Sequence, residues 1–282
     1  MNEGVAIVPM DAGMARTAWE WARREGWNPG IDDHFLLPSI DPKGCLAMRL
    51  DEAGAKRMIG AITAVNYGGY GFVGMFLMDP AHRGKGYGRQ LVKAIMTRLA
   101  GLPNVGVDAV RPMVPYYEKA GLKAAYETVR YRLAEGTALE TASAGPVGEA
   151  DLPDLVAYDT GVFGVPREGF LRRWVAAPHA DAALLRRAGK IAGYGVVRDC
   201  YSGRKVGPLF ADDEDAATDL LGWLLARRPD QHHYLDLPAL PGHGLSLVRN
   251  AGSDFSCIRM YTGDAPRQDP ARVFGNTTFE AG

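Results

Sequence analysis

The segment His82–Gly88, HRGKGYG, sets three glycines on alternate positions beside two cations. Without side chains at Gly84, Gly86 and Gly88, backbone N–H groups can approach a ligand closely. An amphipathic pattern follows at once, so the turn opens onto a helix start with its partial positive charge. Arg83, Gly84, Lys85, Gly86, Tyr87 and Gly88 therefore read as an anion site suited to phosphates. Two other segments carry chemistry-bearing side chains. EGWNPGIDDH, Glu25–His34, combines turn formers with Trp27, Asn28, Asp32, Asp33 and His34. VPYYEKAGL, Val114–Leu122, places Tyr116 and Tyr117 on a short helical stretch closed by Gly121.

The elements that must position these residues follow from periodicity. Val5–Val8 reads as an edge strand, and Asp11 caps a helix to Arg24 with Ala15, Ala18, Trp19 and Ala22 on one face. Cys45–Leu50 and Met58–Tyr67 form a hairpin around DEAGAK, and Tyr70–Met78, almost wholly apolar, is a central strand. The helix after the glycine turn buries Leu91, Ile95 and Leu99, and strands follow at Val105–Ala109 and Lys123–Leu133. Ala134–Gly148 is small, polar and without period, a linker. Beyond it, helices are expected at Leu152–Tyr158, Arg167–Ala176 and Asp215–Arg227, with a short one at Leu245–Ala251. Strands are expected at Ala183–Arg187, Ile191–Val197, Val206–Phe210, His233–Leu237 and Phe255–Tyr261. Both halves repeat strand, turn, long helix, strand, short helix, strand, which points to a tandem duplication of one α/β domain. The expected division is residues 1–135, a linker at 136–148 and a second domain at 149–282.

Composition narrows the classes. The chain has 282 residues, 47% hydrophobic and 23% charged, with a formal net charge of -1, so nothing in its charge points to a protein working mainly on nucleic acid or membrane surfaces, and neither is expected as a partner. Cys45, Cys200 and Cys257 are odd in number and far apart, as buried free thiols in a reducing compartment would be. MNEGVAIVPMD lacks a signal-peptide pattern and no apolar run reaches the ~18 residues of a membrane span, so a cytoplasmic location is expected. His232, His233 and His243 do not form a metal pattern, and no metal is expected.

The strand FVGMFLM, the turn RGKGYG and the segment YEKAGL, in that order, resemble the GNAT superfamily of acyl-CoA-dependent N-acyltransferases. The turn matches the family's R/Q-x-x-G-x-G/A signature, and the likeness covers Val5–Leu133. A narrower likeness, carried by EGWNPGIDDH, YSGRKVGPLFADD, YLDLP and RMYTG, is to a bacterial subgroup with two GNAT-like domains, of which the first keeps the cofactor turn. The implied fold class is α/β (α+β), each domain a mixed, mostly antiparallel twisted sheet flanked by helices.

The resemblance implies acetyl-CoA, or another short acyl-CoA, as co-substrate. Backbone groups of Phe76, Leu77 and Met78 would pair with the pantetheine arm, and Arg83–Gly88 would hold the pyrophosphate. Tyr117 matches the tyrosine that protonates the departing thiolate. Two departures stand out: Val110 occupies a position where many relatives have Asn or Thr, and Pro112 and Pro115 tighten the approach to the tyrosine helix. Phe76, Met78 and Val105 leave no carboxylate where many relatives carry their general base, so Asp32, Asp33 and His34 are the local candidates. Trp27, Asn28, Asp32, Asp33 and Tyr67 are expected to line the acceptor pocket, and Asp108 to be structural. In the second half, Asp212, Asp213, Glu214 and Asp215 fill the corresponding helix start and would repel a pyrophosphate, so that half is expected to bind no CoA. The expected reaction is direct attack of a small-molecule primary amine on the thioester, by a monomer or homodimer. The alternatives are an acyl-CoA sensor without turnover and a protein N-terminal or lysine acetyltransferase.

Overall fold

The computed structural model describes residues 4–52, 54–264, 266 and 268–282. The first half runs β1 (Val5–Pro9), α1 (Ala12–Arg24), α2 (Asp33–Ile40), β2 (Cys45–Glu52), β3 (Ala55–Asn66), β4 (Gly71–Met78), α3 (Tyr87–Arg98), β5 (Val105–Val110), α4 (Val114–Lys119) and β6 (Lys123–Leu133). The second half runs β7 (Gly145–Pro146), α5 (Leu152–Phe163), α6 (Glu168–Val175), β8 (Ala180–Arg187), β9 (Lys190–Asp199), β10 (Arg204–Ala211), α7 (Glu214–Leu225), β11 (His233–Pro238), β12 (Gly252–Tyr261) and β13 (Val273–Gly275).

Local chemistry accounts for most boundaries. Asp11 accepts a hydrogen bond from Met14 N at 2.8 Å and caps α1, whose buried stripe is Ala15, Ala18, Trp19 and Ala22. Gly121 adopts φ +91° after α4, a backbone that an L side chain resists. Helix α2 was not expected, because Pro38 lies inside it and the preceding loop reads as turn-rich. The linker is not loose: Thr141, Ala142, Ser143 and Ala144 all hydrogen-bond to the Asp219 carboxylate, and β7 pairs with β8.

The strands form one continuous sheet in the order β1-β2-β3-β4-β5-β12-β6-β11-β10-β9-β8-β7, with β13 against β10. β6, the last strand of the first half, and β12 of the second half are exchanged. β12 of the second half pairs antiparallel with β5, whereas β6 of the first half pairs with β11. A sequence period cannot reveal this, since either partner presents the same pattern of faces.

The duplication is visible in the central strands. β4 pairs in parallel with β5 only over Gly71–Val73, and β10 with β11 only over Arg204–Val206. Each strand then carries one extra residue relative to its antiparallel neighbour. Thr63 and Ala61 oppose Gly74 and Leu77, and Val197 and Gly195 oppose Val206 and Leu209. In β4 the bulge falls on Met75, a non-glycine residue at φ +47°, a conformation costing about 1 kcal/mol. Each bulge turns its strand away from its parallel neighbour and opens a wedge in the sheet.

Candidate active site

The wedge between β4 and β5 opens into a cleft of about 850 Å³. Its walls come from the diverging strands, the glycine turn, α4 and two exchanged segments of the second half. Gly84 and Gly86 take φ +74° and +82°, and a Cβ on either would meet nothing within 4 Å. These backbones are therefore open toward the cleft, as an anion cradle needs. Gly88 differs: a Cβ there would come within 2.8 Å of the Phe76 ring, so this glycine lets α3 close onto β4. Helix α3 has no acidic residue in its first turn, leaving its positive end unneutralised.

Arg83, Gly84, Gly86 and Gly88 line the cleft with Phe76, Leu77 and Met78, whereas the side chains of Lys85 and Tyr87 do not. Arg83 is already engaged: Nε donates to Met78 O at 3.0 Å and Nη2 to Glu25 Oε1 at 2.5 Å. The bond pins the turn to the strand end, and Glu25 occupies the guanidinium face that a phosphate would use. Phosphate contact in this turn thus falls mainly to backbone N–H groups.

Tyr117 is buried on α4 and lines the opposite wall with Tyr116. Burial pushes its phenol up to about 12, with Tyr116 and Cys257 adding to the rise. The group stays protonated through the neutral range and so has a proton to give there. Cys257 also lines the cleft, and burial raises its thiol well above the ordinary value, so a thiolate nucleophile is disfavoured. All three cysteines are free and buried.

Of the five residues expected to line the acceptor pocket, the structure brings only Trp27 to the cleft. The other four are corrected by their own bonding. Asn28 spends its amide on Ser202, accepting from N at 3.0 Å and donating to O at 2.9 Å. Asp32 binds His179 through the backbone N at 3.0 Å and the ring Nδ1 at 3.0 Å. Asp33 is fully buried, paired with Arg198 and accepting from Gly30 N at 2.8 Å. Tyr67 donates to Ala281 O at 2.9 Å and packs on Phe163. His34 is tied to Ile31 O at 2.9 Å. The loop Glu25–His34 is mainly a clasp between the halves, because its polar groups find partners on the second half before they can face a ligand.

From sequence the second half is expected to be structural or part of the acceptor pocket, with no residue named; the structure brings Phe255 and Cys257 from β12, and Phe279 and Glu280 from the final segment, to the cleft. No pattern foretold them, since their proximity depends on the strand exchange and on the return of the final segment to β4. Behind them lie two buried ion pairs. Arg259 grips Asp108 at 2.6 and 2.8 Å, and Arg130 grips Asp236 at 2.7 and 2.8 Å. Arg130 also donates to Trp27 O at 2.9 Å and lies over the rings of Phe255 and Phe279 at 5.2 and 4.9 Å. Asp108 itself lines the cleft, as a carboxylate already paired with Arg259.

The second wedge is filled by the chain itself. β13 pairs with β10 at Leu209 and Phe210, where an added strand would sit, and a Cβ on Gly207 would strike the carbonyls of Asn276 and Thr277. At the helix start, Asp213 accepts from Ala216 N at 2.9 Å and pairs with Arg187, while Asp212 pairs with Arg272 at 2.5 Å. Among the described residues no group of His, Cys, Asp and Glu is arranged to hold a metal, and no helix is long and apolar enough to cross a membrane.

Comparison with known proteins settles the family. Residues 14–122 match the acetyltransferase (GNAT) family, and residues 155–275 match an acetyltransferase (GNAT) domain. The chain belongs to the GNAT acetyltransferases, with two such domains in tandem. The holothin acyltransferase of Pseudoalteromonas sp. (strain SANK 73390) is 24% identical over 268 residues, covering 93% of this chain and 90% of that protein. A putative acetyltransferase from Pyrococcus horikoshii shares the fold with a TM-score of 0.85 at 19% identity, over 100% of this chain and 97% of the other. A tandem GNAT protein from the clavulanic acid biosynthesis pathway aligns with a TM-score of 0.59 at 14% identity, over 94% and 99%. These likenesses make the chain an acyltransferase of the GNAT type and leave its acceptor open.

Proposed function

We propose that this protein is an acyl-CoA-dependent N-acyltransferase that moves an acetyl or other short acyl group to the primary amine of a small molecule. The observation that carries the reading is the open wedge beside β4, with the glycine cradle at its mouth and a protonated tyrosine on its wall. The pantetheine arm would pair with the free edge of Phe76–Met78, and the pyrophosphate would rest on the amides at Gly84–Gly88 and the start of α3. The amine would attack the thioester carbonyl directly, its oxyanion held by strand N–H groups. As the C–S bond breaks, Tyr117 would give its proton to the sulfur. A thiol acyl-enzyme fits poorly, because all three cysteines are buried and Cys257, at the cleft, is held protonated.

The second half would bind no CoA, since β13 and self-paired carboxylates fill the equivalent positions, so one acyl-CoA per chain is expected. A cytoplasmic location accords with this co-substrate. The test is release of free thiol from acetyl-CoA with a panel of primary amines, alongside calorimetric titration with CoA. Amine-dependent thiol release with one CoA bound per chain is the expected result. CoA binding without thiol release from any amine would favour a sensor, and no CoA binding would overturn the reading.

A further inference from the structure

The final segment, Asn276–Gly282, is almost wholly buried and runs from the second wedge to the first. It leaves β13, passes Gly207 at Asn276 and Thr277, and reaches Gly74 at Glu280, where a Cβ on the glycine would lie 2.5 Å from the Glu280 carbonyl oxygen. Glu280 is therefore seated at the bulge where β4 leaves β5. It is 4% exposed and lines the cleft. Thr278 Oγ1 donates to one carboxyl oxygen, and among the described residues the other has no hydrogen-bond partner.

The charges around it are unequal. Asp108 on β5, Asp236 on β11 and Glu280 share the region with Arg130 on β6 and Arg259 on β12. Each arginine is committed in two hydrogen bonds to its own aspartate. Burial pushes the Asp108 carboxyl above the ordinary range against the pull of Arg259, and Asp236 and Glu280 add to that rise. The Cys257 thiol, held protonated, also faces the cleft, with the phenols of Tyr116 and Tyr117 on the opposite wall and Glu25, His82, Arg83 and Arg89 toward its mouth. Among the described residues, Glu280 is the buried acid with no basic side chain within 4.0 Å. An acid left unpaired beside two paired ones is one cation short, and the cleft is the side from which a cation can arrive.

We propose that Glu280 receives the acceptor as an ammonium ion between the rings of Trp27, Phe255 and Phe279 and takes its proton before attack. The proposal rests on the acyltransferase reading above and names the base and acceptor class for it. One ammonium N–H bond breaks and its proton passes to the Glu280 carboxylate. The freed lone pair forms the C–N bond. The C–S bond breaks as the sulfur takes the Tyr117 proton, the second amine proton restores the phenol, and the proton on Glu280 leaves to solvent. The aromatic walls select an amine carried on an apolar or aromatic body.

The test follows thiol release from acetyl-CoA with phenethylamine and tyramine as acceptors, from pH 6 to 9.5, for the wild type, Glu280→Gln and Glu280→Asp, with CoA binding by calorimetry on each. Glu280→Gln should bind CoA as the wild type does and lose about 100-fold in kcat/KM for the amine at pH 7. Its rate should climb about tenfold per pH unit toward the amine's own pKa near 10, because only solution free amine can then react, while the wild-type profile is flatter. Glu280→Asp should recover part of the loss. Equal rates for wild type and Glu280→Gln, or a reduced rate with an unchanged pH slope, would overturn the base. Wild-type turnover of neither amine while CoA binds would overturn the acceptor class. Absence of CoA binding would overturn the underlying acyltransferase reading instead.

Discussion

Gly86 offers a clean separation of shape from charge in the proposed anion cradle. It is the N-cap of α3 at φ +82°, and a Cβ there would meet nothing within 4 Å. Steric clash is therefore not at issue, and the left-handed backbone costs Asn and Asp less than other side chains. Gly86→Asn and Gly86→Asp share that backbone cost and differ by one negative charge at the helix start. At about 5 Å from a pyrophosphate and an effective dielectric between about 20 and 40, each charge pair is worth roughly 2–3 kcal/mol. That corresponds to about 30- to 160-fold in Kd. Titration calorimetry with CoA should place the Asn variant within about fivefold of the wild type and the Asp variant that much weaker. The gap between them should shrink at 1 M salt, where screening acts within about 3 Å. Equal Kd values for the two variants, or an Asp variant that binds like the wild type, would refute a pyrophosphate at this turn.

Three further outcomes test other parts of the molecule. Tyr117→Phe should lower kcat by about 10²-fold without weakening CoA. Because burial holds the folded-state phenol near 12 against 10 in the open chain, wild-type stability should fall as pH rises from about 10 to 12, and the Phe variant should lose less, which alkaline denaturation curves will show. Asp33→Ala strands the buried Arg198 guanidinium and should cost about 3–5 kcal/mol in urea unfolding while leaving CoA affinity intact; lost CoA binding in folded protein would return Asp33 to the site. His233 is buried, and desolvation with Arg204 nearby lowers its pKa to about 4, so stability should be full above 6.5 and drain as pH falls toward 4. His233→Phe should flatten that acid limb in thermal melts.

Much of the fold was legible because the first half obeys local rules. Strand β4, its glycine turn and helix α3 announce themselves by a change from an unbroken apolar run to a helical period, whereas the bulges that open the two wedges leave no mark in it. Helix α2 was hidden by Pro38 and by a loop whose acids look like ligands. Asn28, Asp32, Asp33 and Tyr67 were misread for one reason: each has the chemistry of a binding group, and each meets a partner more than 100 residues away or in the final segment. Glu280 went unread for the opposite reason. NTTFEAG has no period, no charge cluster and no motif, so nothing in it reports that the chain returns to β4.

The exchange of β6 and β12 sets a timetable for the living cell. Strand β5 leaves the ribosome with one edge bare, and the strand that covers it, Gly252–Tyr261, is encoded after nearly the whole second domain. At ordinary elongation rates that interval is on the order of ten seconds. Until then the tyrosine wall lacks its backing and the cleft lacks Phe255, Cys257, Phe279 and Glu280. A nascent first half therefore has an incomplete cleft until its partner is made, and during the wait it exposes an unpaired strand edge of the kind that templates aggregation.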